Sequence, residues 1–227
     1  MPRQGKRYSA DLSKASKEPV ALVEAVNRVK AFKTTKFDQS VEIVMHLGID
    51  AKQADQLIRG SVSLPNGIGA SKRVIAFCGP DLVDEAKAAG AIEAGGEELV
   101  KKIEDGWLDF DVAIASPDMM RVVARLGRAL GPKGLMPSPK NDTVTPKVIE
   151  GVKEFAAGKV EFRNDSGGNV HAIIGKHSFE PAKLVENAEH FIATIEKLKP
   201  ATTKGVYVKK IALSATMTPS VIVDHSS

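Results

Sequence analysis

The chain has 227 residues, of which 43% are hydrophobic, 26% charged and only 5% aromatic, a profile of an ordinary globular protein with room for one large domain or two smaller ones. No apolar run approaches the ~20 residues of a membrane span, and the single cysteine, Cys78, excludes a disulfide framework or a cysteine-rich zinc site and fits a reducing cytosol. The net charge of +4 is mildly basic and compatible with a polyanionic partner.

Residues 1–17 read as a polar, flexible arm; the start Met1-Pro2-Arg3-Gln4-Gly5-Lys6-Arg7 carries charge with no apolar stretch behind it, so no secretory signal is expected. Glu18-Pro19 opens a helix whose stripe is Leu22, Val26, Val29 and Phe32. From Ser40 to Leu47 the pattern alternates: Val41, Ile43, Met45 and Leu47 face one side, and Ser40, Glu42 and His46 the other, with Val44 the apolar exception. This is a half-buried antiparallel strand. The breakers Leu64-Pro65-Asn66-Gly67-Ile68-Gly69 suggest a hinge.

The middle changes character. Val74 to Cys78 is a continuous apolar run, as expected of a strand covered on both faces. A helix follows Gly79-Pro80-Asp81 and ends near Gly90; a second runs from Glu97 to Asp105 and stops at Gly106. Asp111 to Ala115 is another buried strand, Ser116-Pro117-Asp118 caps a helix to about Leu126, and Lys147 to Ala157 is helical along Val148, Val152 and Phe155. Strands alternating with helices predict an α/β layer with a mostly parallel sheet.

The last third reverts to the first pattern. Val160 to Arg163 and Val170 to Ile174 flank the turn Asn164-Asp165-Ser166-Gly167-Gly168 as a hairpin. Pro181 opens a long helix with Leu184, Ala188, Phe191, Ile195 and Leu198 on one face, and Val206 to Leu213 is the final strand. One-sided strands at both ends around a two-sided middle predict an inserted domain: 1–67 with 160–227 form one domain and 68–159 a second. Charge follows that split. Residues 68–159 hold 13 Lys+Arg and 14 Asp+Glu, a net of −1, whereas the two flanks hold 19 and 14, a net of +5. The flanks are therefore the candidate polyanion binder.

Enzyme motifs fail on spacing. Gly127-Arg128-Ala129-Leu130-Gly131-Pro132-Lys133-Gly134 lacks the Gly-Lys-Ser/Thr order of a phosphate loop and follows a helix, and Gly67-Ile68-Gly69 precedes its strand where a dinucleotide fingerprint would follow. His46, His171, His177, His190 and His225 have no zinc-ligand spacing. Cys78 lies within an apolar run and reads as an inert core residue, and no cofactor is expected.

Two segments suit RNA better. In Thr34 to Ser40, read as extended into the strand, Lys36, Asp38, Ser40 and Glu42 share a face, and Phe37 either stacks on an unpaired base or tucks under the sheet. In Lys210 to Thr218, Ile211, Leu213, Ala215 and Met217 point one way, and Lys210, Ser214, Thr216 and Thr218 the other. That polar row either meets phosphate and 2′-hydroxyl oxygens or is an ordinary solvated face.

The block Leu126-Gly127-Arg128-Ala129-Leu130-Gly131-Pro132-Lys133-Gly134-Leu135-Met136-Pro137-Ser138-Pro139-Lys140 resembles the signature of the ribosomal protein L-one family, found on the mobile side stalk of the large ribosomal subunit. Lys36-Phe37-Asp38, Leu47-Gly48-Ile49-Asp50, Leu64-Pro65-Asn66-Gly67, Ala115-Ser116-Pro117-Asp118, Arg163-Asn164-Asp165, Lys204-Gly205 and Thr216-Met217 resemble the bacterial form in order and spacing, from about Lys6 to Val223. The resemblance implies an α/β and α+β fold, with a discontinuous α+β RNA-binding domain and an inserted three-layer Rossmann-like α/β domain. It implies a cytoplasmic protein, not an enzyme and monomeric outside the ribosome, that binds side-stalk rRNA, assists release of deacylated tRNA from the exit site, and represses its own operon by binding the messenger. Family RNA contacts carry onto Lys36, Phe37, Ser40, Glu42, Asp165, His171, Thr216 and Met217; Arg163 and Lys210 are added on charge and face. Thr218 stands where the family usually has glycine, which puts that local contact in question. Lys133 and Lys140 are a secondary RNA contact or else part of a rigid Gly-Pro connection. The alternative function is an α/β nucleotide-binding enzyme using the middle domain.

Overall fold

A computed structural model describes residues 5–15, 18–33 and 35–225. In chain order its elements are α1 Lys6–Leu12, α2 Leu22–Ala31, β1 Ser40–Leu47, β2 Arg59–Val62, β3 Val74–Phe77, α3 Val83–Ala88, β4 Ala91–Gly95, α4 Glu97–Glu104, β5 Val112–Ala115, α5 Met120–Val123, α6 Gly127–Leu130, α7 Val148–Ala156, β6 Val160–Arg163, β7 Asn169–Lys176, α8 Pro181–Lys197, β8 Val208–Ala215 and β9 Val221–Val223. Short 3₁₀ turns precede α3, α5 and α6 and occupy Pro139–Asn141. The chain divides into two compact units, Met1–Gly69 with Val160–Ser227, and Ala70–Lys159.

The first unit is built on an antiparallel sheet of order β7-β1-β8-β9. The alternation of β1 does what it predicts: Val41, Ile43, Met45 and Leu47 are buried. They pack with Ala172, Ile174, Ile211 and Leu213 against Val26 and Val29 of α2 and Leu184, Ala188, Phe191 and Ile195 of α8. A fully buried side chain of this kind contributes about 1.5–3 kcal/mol. Asn187 is the polar residue in that layer. Its Nδ2 donates to Ile174 O (2.8 Å) and Gly67 O (3.0 Å), and its Oδ1 accepts from Asn66 N (3.1 Å). It thereby fastens α8 to β7 and to the 64–67 loop.

The second unit is a parallel sheet of order β4-β3-β5 with a core on each face. Val74, Ala76 and Ile114 meet Ala86, Val148, Val152 and Phe155 on one side. Ile75, Phe77 and Ala113 meet Leu99, Ile103, Val123, Leu126 and Leu130 on the other. Two covered faces explain the unbroken apolar runs in β3 and β5.

Several expectations are corrected. The supposed flexible arm contains α1, held where Asp11 Oδ1 accepts from Lys33 N at 3.2 Å; Asp11 is only 2% exposed. Residues 1–4, 16 and 17 of that arm, like Thr34, lie outside the described residues. Helix α2 begins three residues after Pro19, because Val20 is taken up in a bridge to Val223. Strands β2 and β4 were not foreseen, nor was β9, so Val206 to Leu213 is not the last strand. The 160–174 segment turns as expected but is not a two-strand hairpin: β6 pairs with β2 and β7 with β1, and a single bridge, Asn164 to Val170, joins the two. Leu198 caps α8 at 43% exposure and leaves the buried stripe. The helix expected to end near Leu126 is α5, and a 3₁₀ turn then leads into α6, which carries the helical run on to Leu130.

Candidate nucleic-acid interface

Cross-strand partners share a face of an antiparallel sheet, so the register of β1 defines the face opposite the helices. Glu42 lies between Ile173 and Ser214, Val44 between His171 and Ala212, and His46 between Asn169 and Lys210, while Ser40 pairs with Lys176. Ile222 continues the Val44 row beyond Ala212. These residues are half-buried or exposed. The result is an open plate whose middle row runs from His171 through the apolar Val44, Ala212 and Ile222, with polar groups in the rows at both ends.

At one end of the plate two segments far apart in sequence are bonded together. Thr216 N donates to Ser40 O (3.0 Å), Ser40 N donates to Thr216 Oγ1 (3.2 Å), and Gln39 Nε2 donates to Thr216 O (2.6 Å). Lys176 Nζ donates to Ser40 Oγ at 2.9 Å. Asp38 is tied down by Ser178, whose N and Oγ donate to its carboxylate at 3.1 and 2.7 Å. Beside this clamp stand two uncovered apolar side chains, Phe37 at 49% and Met217 at 65% exposure. Phe37 therefore does not tuck under the sheet. Met217 holds φ at +65°, one of two non-glycine residues with positive φ among those described. A left-handed residue of this type costs about 1–2 kcal/mol, and its carbonyl accepts from Arg7 Nη2 of α1 at 3.0 Å.

At the other end, Asp165 organises the β6–β7 turn. Its Oδ1 accepts from Gly167 N and Asn169 N, both at 2.8 Å, and its Oδ2 from Asn169 Nδ2 at 2.9 Å. The Asn169 side chain, its Nδ2 donating first, and then the turn N–H groups hold the Asp165 carboxyl at about 2, well below its ordinary 3.8. Because Asn169 Nδ2 faces a carboxylate, Asn169 Oδ1 is left to accept from His46 Nδ1 at 2.8 Å. His171 Nε2 stands 3.7 Å from the same carboxylate.

The family description "Ribosomal protein L1p/L10e family" matches residues 29–219. This chain belongs to that family. It is similar to the large ribosomal subunit protein uL1 of Rhodopirellula baltica, at 57% identity over 221 residues covering 97% of this chain and 98% of the relative. It is also similar to the large ribosomal subunit protein uL1 of Nitratidesulfovibrio vulgaris, at 49% identity over 228 residues covering 100% and 97%. These are ribosomal structural proteins, not enzymes, which sets aside the nucleotide-binding enzyme alternative. The second unit does have a cleft of about 690 Å³ at the carboxyl ends of β3 and β4, but Glu93, Glu97 and Glu98 line it against Lys87 and Lys102. Lys102 is itself bonded to Glu93 (2.7 Å), and Pro80 offers no backbone N–H where a phosphate cradle needs donors.

The structure brings Ser40, Glu42, His171 and Lys210 to the plate and Thr216 to its bonded rim, with Lys36, Phe37 and Met217 in the segments that adjoin that rim. Three expectations change. The alternation read through Lys210 to Thr218 ends at Ala215, and Met217 lies in a turn rather than with Ile211 and Leu213. Thr218 turns its hydroxyl inward: Oγ1 accepts from Ala215 N (2.9 Å) and donates to Ala215 O (3.0 Å). The left-handed position is 217, not 218, so the missing glycine costs no dihedral strain. Arg163 belongs to the β2–β6 ladder, opposite Arg59, rather than to the four-stranded sheet. Lys133 and Lys140 are exposed in the second unit. Residues absent from the sequence reading of the site are Arg7, Gln39, Lys176, His46 and Asn169. Arg7 gave no local signal, since its bond spans 210 positions. Lys176 was hidden by the β-bulge between Val41 and Glu42, which restores its register with Ser40. His46 was visible on the polar face of β1.

Proposed function

We propose that this chain is a structural protein of the cytoplasmic large ribosomal subunit that binds large-subunit rRNA at the side stalk through the plate of its first unit. The observation that carries the reading is the Ser40–Thr216 clamp, which makes one rigid surface of segments 176 residues apart and leaves Phe37 and Met217 uncovered beside it. A preorganised site loses little conformational entropy on binding. Phe37 and Met217 pack on base or ribose faces, Ser40, Glu42 and Thr216 exchange hydrogen bonds with RNA hydroxyls, and Lys36, Lys210 and Lys176 neutralise phosphates. Asp165 acts through the turn that sets His171 and Asn169, and Arg163 supplies charge outside the plate.

In this proposal the two units are domains with divided labour. Residues 1–67 with 160–227 anchor the protein on rRNA, and the inserted 68–159 domain, with Lys133 and Lys140, makes only a secondary contact. The same plate recognises a segment of the protein's own operon messenger, which makes the free protein a translational repressor, and the stalk-bound protein assists release of deacylated tRNA from the exit site. Filter binding tests the common plate: Phe37→Ala should weaken a side-stalk rRNA fragment and the operon messenger in parallel, each by on the order of tenfold or more. Wild-type affinity of Phe37→Ala and Thr216→Ala for the rRNA fragment would remove the plate from the binding site, and loss on one RNA alone would separate the two roles.

A further inference from the structure

The near-neutral total of the second unit conceals a strong polarity. Residues 119–141 contain Arg121, Arg125, Arg128, Lys133 and Lys140 and no Asp or Glu, whereas the rest of 68–159 has eight basic and 14 acidic residues. The three arginines lie on the helical run that comprises α5, a 3₁₀ turn at Ala124–Leu126, and α6. At about 100° per residue, spacings of four and three place them on one narrow arc. Val123, Leu126 and Leu130, on the opposite arc, are buried in the core. All three arginines are exposed, and no ion pair reaches any of them among the described residues, although elsewhere in the unit Lys102 pairs with Glu93 and Lys159 with Glu154. Ala124 and Ala129 flank the arc on either side, and the exposed Asp118, one turn before Arg121, bounds it at its start. Lys133 follows α6, exposed on the turn closed by Gly134 N donating to Gly131 O at 3.1 Å.

We propose that Arg121, Arg125 and Arg128 form a phosphate-binding ridge that takes the backbone of double-stranded RNA without regard to sequence. Three unpaired guanidiniums within about 10 Å of helix axis suit successive phosphates. The absence of aromatic or amide side chains on the arc leaves base identity unread. The excess of acidic residues in the rest of the unit, 14 against eight basic, disfavours a polyanion there. The ridge is separate from the plate of the first unit and does not depend on its assignment.

The test uses the full chain and two RNAs: a short blunt duplex of arbitrary sequence and the side-stalk rRNA fragment. Arg121→Ala/Arg125→Ala/Arg128→Ala should bind the duplex on the order of tenfold more weakly at low salt. Its log affinity against log salt should also flatten by roughly 2 to 3, at about 0.9 per lost phosphate contact. The same variant should keep its affinity for the stalk fragment within about twofold, and the triple Arg→Lys variant should retain most of the duplex binding. An unchanged duplex affinity and slope in the alanine variant overturns the ridge; so does an equal loss on both RNAs, or ridge-dependent binding of poly-glutamate as tight as that of the duplex. The single Arg125→Glu variant provides the same readout with one exposed change. Failure of the plate reading appears separately, as unaltered stalk-fragment binding by Phe37→Ala.

Discussion

Thr216 and Ser40 exchange bonds through both backbone and hydroxyl, so Thr216→Ala removes an acceptor from Ser40 N and loosens the rim itself. A lost bond of this type costs about 1–3 kcal/mol. Stalk-RNA affinity should therefore fall on the order of tenfold, with Thr216→Ser close to wild type in the same filter-binding titration. Met217 separates stability from function. Glycine adopts its φ of +65° freely. Met217→Gly should thus leave the unfolding free energy unchanged or raise it by up to about 1 kcal/mol, while RNA binding weakens because the exposed side chain is gone; urea titration and filter binding read the two effects. Lys210→Ala should flatten the salt slope by roughly 0.7 to 0.9, and an unchanged slope means that Lys210 touches no phosphate. Asp165 gives a pH dependence. Its folded carboxyl lies at about 2, below the ordinary 3.8, so its support of the turn is complete above the ordinary value and is lost as pH falls through about 2. Protection of the Gly167 and Asn169 amides, measured as exchange relative to an unstructured peptide at the same pH, should fall across that window in the wild type, and Asp165→Asn should remove the dependence.

At the level of elements, Asn187 joins α8, β7 and the 64–67 loop through three backbone partners. Asn187→Leu keeps the volume and strands Ile174 O, Gly67 O and Asn66 N, which should cost about 2–4 kcal/mol and lower the melting temperature by several degrees; an unchanged melting temperature would show that water replaces the side chain at no cost. The elements that were legible from sequence are those whose pattern and burial agree: the alternation of β1, the apolar runs of β3 and β5, and the stripe of α8 as far as Ile195. The missed ones owe their existence to partners. Strand β2, Arg-Gly-Ser-Val, is polar and pairs with β6 from across the inserted segment. Strand β4, Ala-Ile-Glu-Ala-Gly, has weak strand propensity and is fixed by β3 beside it. Helix α1 is polar on most of its faces and shorter than an isolated helix can sustain; Asp11 and Arg7 hold it through Lys33 and Met217. The site was legible to the same extent. Strand pattern and family resemblance singled out Phe37 and Thr216 as candidates, but the bonding of Thr216 to Ser40, the turn at Met217 and the inward hydroxyl of Thr218 are consequences of tertiary bonds.

Across the whole molecule, net charge is a coarse guide. The excess on the flanks pointed to the first unit, yet the second unit is divided between an acidic body and the 119–141 ridge, which a total of −1 conceals. If the two units are separable domains, joining Gly69 to Val160 through a short linker should leave side-stalk rRNA affinity within about threefold, a difference below 1 kcal/mol. Loss of binding by that shortened chain, once its folding has been verified by circular dichroism, would show that the inserted unit contributes to the anchor. In the proposed function the plate and its clamped rim meet the RNA. Hydroxyl-radical footprinting of the full chain with and without the side-stalk rRNA fragment tests it most directly, because Phe37 and Met217 are exposed and of readily oxidised types. RNA should strongly suppress oxidation of both while leaving Ile92 and Leu198, exposed elsewhere, as reactive as before; undiminished oxidation of Phe37 and Met217 in a saturated complex would place the RNA on another surface.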